Sequence, residues 1–196
     1  MSLLDKVISA VTPPESQESR DEAHRAARST AVPGDWLSLI LDHHEQVAQA
    51  FTAVRGAADA HDRRLAQKAL GVVLTGHSMA EEAVIYPAIA RIGEKTSAEM
   101  AYLEQVAAKQ QMAALDHLDP MSPDYLDKLG HLEGAVLHHV YEEEHDWFPK
   151  LKEEAAPADQ AIMTQRYKEE FERYMGADLQ GDGGTSELGA LGRETI

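Results

Sequence analysis

The chain has 196 residues, 43% of them hydrophobic, which suits one domain with a proper core and leaves little room for two. It has no cysteine, so disulfides, thiolate metal sites and a cysteine nucleophile are excluded, and a reducing cytoplasm is the compartment expected. The formal net charge of −16 argues against nucleic acid and anionic membranes as partners, since both reward Lys and Arg, and no run approaches the ~20 apolar residues of a membrane span.

Met1–Val11 is interrupted by Asp5 and lacks a basic start, so it does not read as a signal peptide. Residues 1–35 read as a polar N-terminal extension with Pro13-Pro14 and a helical piece, Glu15–Ala31, of little apolar surface. Pro33-Gly34 stops that piece, and Asp35 can cap a first core helix over Trp36–Ala58, with Leu37, Ile40, His44, Val47, Phe51 and Val54 on one stripe. A second helix runs over Asp62–Ile92 with Leu70, Val73, His77, Glu81 and Val84 on its stripe, and Gly93 ends it. Thr96-Ser97-Ala98-Glu99 reads as a capping box opening a third helix to about His117. Ser122 caps and Pro123 starts a fourth helix reaching Glu154, with Leu129, Leu132, Val136, His139, Glu143 and Trp147 aligned. Short connections make these four an antiparallel up-down four-helix bundle, an all-α fold over 36–156. A fifth helix is expected over Asp159–Met175 within an extra segment 157–176, and the Gly-rich 177–196 reads as a disordered tail.

The second and fourth helices share one pattern, HxxxEExxx(Y/F)P, at His77–Pro87 and His139–Pro149. A chance second copy has a probability on the order of 10⁻⁴ at ordinary residue usage. Residues i and i+4 lie one turn apart on the same helix face, so each His–Glu pair can offer an imidazole nitrogen and a carboxylate to one ion. Both pairs fall on apolar stripes, where such groups are costly unless paired or metal-bound. Imidazole and carboxylate together suit iron, manganese or zinc. A hydrogen-bonded core His–Glu pair without metal explains one HxxxE as well; two copies plus a core histidine on the first helix shift the balance to metal. That third histidine comes from Asp42-His43-His44-Glu45, where His44 lies on the stripe and His43 beside it. The Pro of each copy removes a backbone hydrogen bond and bends its helix.

Asp-His-His-Glu ahead of an aromatic, then HxxxEExxxYP, then Val-Leu-His-His-Val-Tyr-Glu-Glu-Glu before Phe-Pro-Lys, resembles the hemerythrin-like HHE family over Trp36–Lys152. The resemblance implies an up-down bundle around a non-haem di-iron site. Carried over residue by residue, it implies His44, His77, Glu81, His139 and Glu143 as metal ligands, with the two glutamates as carboxylate ligands or bridges. One position departs from the family: Gln105 stands where relatives usually carry a third-helix histidine, which leaves a site for one ion or an iron position open to water.

The remaining candidates have plainer readings. Lys109 reads as an exposed lysine and His138 as a rim residue; Glu82 and Glu144 read equally as partners of the ligands or as solvated charges. His24, His61, His117, His131 and His145 read as surface residues, with Glu142 a partner within reach of His145. Tyr86 and Trp147 read as packing. The function expected is binding or sensing of O2, NO or a related small ligand, or iron handling. The alternatives are a di-iron oxidase or peroxide-type enzyme and a helical interaction module with a degenerate site.

Overall fold

The computed structural model describes residues 15–181, and every regular element within them is helical. Helix α1 spans Gln17–Thr30, α2 Trp36–Gly56 and α3 Ala60–Ala80. A π turn, Glu81–Ile85, joins α3 to α4, Tyr86–Arg91; α5 is Lys95–Leu115. Helix α6, Pro123–Glu142, continues through a second π turn, Glu143–Trp147, into α7, Phe148–Glu154, and α8 is Pro157–Gly181. The rods α2, α3–α4, α5 and α6–α7 form the expected up-down bundle.

Local chemistry sets most boundaries. Asp35 accepts from Ser38 N–H at the start of α2, Asp59 from Asp62 N–H at the start of α3, and Ser122 from Tyr125 N–H ahead of Pro123. Gly93 turns the chain with φ +102°, a conformation that costs a residue without Cβ nothing. Most expected helix ends shift by one or two residues, and two shifts change a reading. The box at Thr96 is not used, because α5 begins one residue earlier, at Lys95, where Glu94 precedes it without a side-chain cap. Helix α8 continues to Gly181, beyond the Met175 expected; the rest of the expected tail lies outside the described residues.

The apolar core is split in two. One cluster gathers Trp36, Leu37, Ile40, Leu41, Ile85, Ile89, Phe148 and Leu151, and Tyr167 and Met163 of α8 complete it. The other gathers Val47, Phe51, Val54, Leu70, Leu115, Leu129, Leu132 and Val136. Along α2, His44 falls between Leu41 and Val47; along α3, His77 falls between Leu70 and Ala80; along α6–α7, His139 falls between Val136 and Trp147. A polar layer therefore crosses the bundle between two apolar ends. Fully burying a large apolar side chain is worth ~1.5–3 kcal/mol, so the two ends can hold a middle layer that unpaired would destabilise the fold.

The polar N-terminal segment docks on the bundle. Helix α1 packs on α2, on α7 and on the second π turn. It contributes Ala23 and Ala27, both buried, and Arg28 reaches Asp42 Oδ1 and Glu45 Oε1, each at 2.7 Å.

Candidate metal centre

The two copies of the repeated pattern differ from plain helix in the same place. Each π turn begins at the pattern's first glutamate: Tyr86 N–H reaches back five residues to Glu81 O, and Phe148 N–H to Glu143 O. A proline in a helix has no N–H and its ring crowds the carbonyl four residues earlier; a wider turn ahead of Pro87 and Pro149 relieves the crowding, while one carbonyl still lacks its donor. In this five-residue register Glu82 O would be the acceptor for the N–H that Pro87 lacks; Tyr102 of α5 donates its hydroxyl to that carbonyl instead, at 2.7 Å. The expected bend is thus a π turn, which sets the carboxylate at its head against the helix that follows.

The five residues expected as ligands meet in the polar layer. His77 Nε2 lies 3.2 Å from Glu81 Oε2 and His139 Nε2 lies 3.3 Å from Glu143 Oε1, the two i, i+4 pairs. His44 joins them from α2, with Nε2 3.3 Å from Glu143 Oε2 and 3.9 Å from Glu81 Oε1. Donor atoms of His44, His77, Glu81 and Glu143 all lie within 4.8 Å of one another, and Glu81 and Glu143 are fully buried. His139 sits at the far side of Glu143, outside that tightest group.

The outward nitrogens are held too. His44 Nδ1 pairs with Glu144 Oε1 at 2.7 Å, His139 Nδ1 with Glu104 Oε2 at 2.8 Å, and His77 Nδ1 with the Tyr167 hydroxyl at 3.2 Å. Each ring is thereby oriented with Nε2 facing the carboxylates, the arrangement that outer hydrogen bonds give to metal-ligating imidazoles. Gln105 faces the cluster: its Nε2 donates to Glu81 Oε2 at 2.8 Å and also meets the Tyr86 hydroxyl.

Several plainer expectations change. Tyr86 is more than packing, because its hydroxyl donates to Glu81 Oε2 at 3.2 Å and Glu143 Oε1 at 3.0 Å, and lies 3.0 Å from His139 Nε2. His24 is not a free surface residue; its Nδ1 lies 3.0 Å from Glu144 Oε1 and its Nε2 3.2 Å from Glu45 Oε1. Glu144 is buried between His24 and His44, whereas Glu82 pairs outward with Lys109 at 2.5 Å. His43 is buried, stacked on Phe171 and paired with the Tyr167 hydroxyl at 2.8 Å. Lys109 is exposed, as expected, and His145 stacks on Tyr141 and not against Glu142. A signal for Tyr86 was available: the repeat carries Tyr in one copy and Phe148 in the other, and only the Tyr has a hydroxyl for the layer to use.

The electrostatics of the cluster's own residues are those of opposed charges held in a buried layer. Burial alone would depress the His44 imidazole, but the hydrogen bonds and charges of Glu143 and Glu144 outweigh it and push its pKa up to about 10. Burial, reinforced by the Glu143 charge, holds Glu81 well above the usual carboxylate range. Burial works against Glu143 ionising too, yet His139 and His44 hold its pKa well below that range. Burial and the neighbouring His44 charge push His77 far down. Within the cluster, His44 Nε2, Glu81 Oε1 and Glu143 Oε2 are buried without a well-directed hydrogen bond: His44 Nε2 and Glu143 Oε2 face each other as an ion pair at 3.3 Å, and Glu81 Oε1 lies 3.9 Å from His44 Nε2. Unpaired buried polar atoms are rare and costly. Here they belong to hard and borderline donors turned toward one another, and a cation fits that set.

An all-α bundle with a buried His/Glu layer defines a class of helical metal-site proteins. A family model for the hemerythrin HHE cation binding domain matches residues 37–151, and the chain belongs to that family. A solved structure of a hemerythrin HHE cation binding domain-containing protein from Mycobacterium kansasii shares the fold, with a TM-score of 0.67 at 19% identity over 77% of this chain and 94% of that one. A DNA nickase of Nostoc sp. (strain PCC 7120 / SAG 25.82 / UTEX 2576) is 25% identical over 136 residues, 68% of this chain; the chain spans 37% of that relative's length. Among the described residues, no helix is long and apolar enough to cross a membrane.

Proposed function

We propose that this chain is a non-haem iron protein that binds or senses O2, NO or a related small ligand, or handles iron. The observation that carries this reading is the convergence of three buried donor atoms turned toward one another, His44 Nε2, Glu81 Oε1 and Glu143 Oε2, with no other protein hydrogen-bond partner, beside His77. One ion would be held by His44, His77, Glu81 and Glu143. His139, with the far oxygens of the same two glutamates, would offer a second position that is poorer in ligands because Gln105 supplies an amide there. Iron bound in this layer would supply Lewis-acid and redox chemistry toward a small ligand.

The chain's own residues do the rest. Glu144, Glu104 and Tyr167 hold the imidazoles in the orientation that presents Nε2. Tyr86 keeps a hydroxyl between the carboxylates and His139. The apolar clusters flank the layer on both sides. Nicking of DNA, the activity of the Nostoc relative, is not carried over: a net charge of −16 repels a phosphate backbone, and neither nucleic acid nor membrane is proposed as a partner.

Protein produced in iron-supplemented medium should carry about one to two iron ions per chain by mass-spectrometric metal analysis. Its reduced form should change colour reversibly with O2 or NO, without turnover. Zinc or manganese in preference to iron under competition would reassign the metal. A protein that arrives metal-free and takes up none on anaerobic reconstitution would overturn the reading.

A further inference from the structure

A cavity of about 290 Å³ lies beside the polar layer, between α3, α5 and α6. Its inner end is formed by His77, Gln105 and His139. Its walls include Val47, Leu74, Ala108, Met112, Val136 and Val140. The space has a structural cause. Helix α5 packs mainly on α4 and α6, and only slightly on α3. The two helices are tied at the ends of the gap, by Lys109 to Glu82 and Tyr102 to Glu82 O at one end, and by Gln67 to Asp116 and Arg64 to Leu115 O at the other. Between the ties α3 presents Gly71, Thr75 and Ser78, spaced i, i+4, i+7 on one face, and small side chains there do not close the gap.

The size decides what the cavity suits. A water occupies ~30 Å³ and a diatomic gas little more, so the space is roughly tenfold larger than O2 or NO needs. It matches a molecule of about ten non-hydrogen atoms, at the small end of organic ligand sites. The walls are mostly apolar, Glu104 lies at the polar end against His139 with Glu81 behind Gln105, and Lys109, which also lines the space, is paired with Glu82, which disfavours an anion. Gln105 is buried, and because its Nε2 is committed to Glu81, its Oε1 is the free end; no donor reaches it. A hydroxyl on the ligand would meet that need.

We propose that this cavity is a binding site for a small, neutral, apolar organic molecule carrying one hydroxyl, of the alkylphenol class, seated with its hydroxyl toward Gln105. The site stands on the cavity and on Gln105, so it does not require the iron reading to hold.

The probe is 4-propylphenol, titrated into the full chain both metal-free and metal-loaded and followed by protein NMR. The expected result is saturable binding with Kd on the order of 100 µM, the affinity that ten well-buried atoms give. Nuclear Overhauser contacts should run from the propyl group to the Val136 and Met112 methyls, and propylbenzene should bind several-fold more weakly. Gly71→Leu fills the cavity without touching a proposed ligand. A Cβ at Gly71 meets only Met112 Cε, at an ordinary 3.6 Å, and leucine favours helix over glycine. The variant should lose at least tenfold in 4-propylphenol affinity while its iron uptake is unchanged. No saturable binding, contacts to residues elsewhere, or undiminished binding by a folded Gly71→Leu protein would overturn the proposal. The contacts in the unsubstituted protein decide it even if the variant does not fold. Iron content, read separately, reports on the metal reading alone.

Discussion

At the scale of single residues, the ligand-free site stores protons that a cation must displace. With its pKa pushed up to about 10, His44 is an imidazolium at neutral pH, and Glu81, held far above the usual carboxylate range, resists ionising. Ligation needs a neutral imidazole and a carboxylate. Metal binding near pH 7 should therefore release at least one proton per chain. Because the free form binds more protons than the loaded form, affinity should rise with pH, up to roughly tenfold per pH unit for each proton released. Calorimetry in buffers of different ionisation enthalpy measures the release directly; an apparent enthalpy that is the same in all of them would remove the protonated His44 from the account. Gln105 is the second residue-scale case. It already reaches Glu81 from α5, so Gln105→His places an imidazole at the ligand-poor side, beside His139. Imidazole is a far better donor to iron than an amide, and the volume change is small. The variant should hold more iron per chain and show a shifted visible spectrum when reconstituted beside the unsubstituted protein; identical iron content and spectra would mean that position 105 plays no part in the metal site.

At the scale of elements, the two π turns are where sequence and site connect. Pro87 forces the wide turn that sets Glu81 against Tyr86, and Tyr102 takes up the carbonyl the proline leaves unpaired. Pro87→Ala returns an N–H and permits ordinary helix through 81–87, which would rotate Glu81 by about 100° relative to the helix that follows. The expected outcome has opposite signs for two measurements. The melting temperature of the metal-free protein should rise, since proline inside a helix costs about 3 kcal/mol, while iron retention against a chelator should fall. Iron retention that rises along with stability would show that the π turn has no part in the site. This element also shows the limits of what periodicity reveals. The HxxxE spacing and the apolar stripes made the four rods and the cluster of His44, His77, Glu81, His139 and Glu143 legible, because both follow from which residues share a helix face. A π turn shifts that face by one residue without leaving any apolar period of its own, so a proline told of a bend but not of its form. Tyr86 was misread for the same reason: its hydroxyl meets the cluster only because the turn ahead of it is wide.

At the scale of the whole molecule, the N-terminal segment is the part whose role the sequence hid. Helix α1 buries only two alanines, and a helix with so narrow an apolar face reads as an appendage. Its attachment is mainly polar and long-range: His24 to Glu144 and Glu45, Arg28 to Asp42, Glu45 and Ser38 O, and Glu15 to His138 at 3.0 Å. Only a structure shows such pairs, since no local spacing encodes them. The contact that matters most is His24, because Glu144 holds His44 and His24 holds Glu144 from the far side. Burial opposes both shifts, more weakly than the His24–Glu144 pairing in His24, yet that pairing raises the His24 pKa and, with His44, lowers that of Glu144. Removing residues 1–31 should leave a helical bundle, because among the described residues the first apolar cluster loses Ala27 and the partly buried Ala31 and the second loses nothing. It should cost about 3 kcal/mol of stability, from the lost alanine burial and one charge-assisted hydrogen bond to a buried carboxylate. Iron should leave to a chelator on the order of ten times faster, the usual effect of losing an outer partner of a ligating histidine. The point variant His24→Ala separates the two effects: it keeps the alanines and their packing, so it should reproduce most of the faster iron loss and only part of the stability loss. Urea unfolding and chelator kinetics on the three proteins give the answer. A truncated chain with unchanged kinetics would make α1 a passenger, and a His24→Ala protein that keeps its iron as firmly as the parent would place the coupling in packing and not in the His24–Glu144–His44 chain.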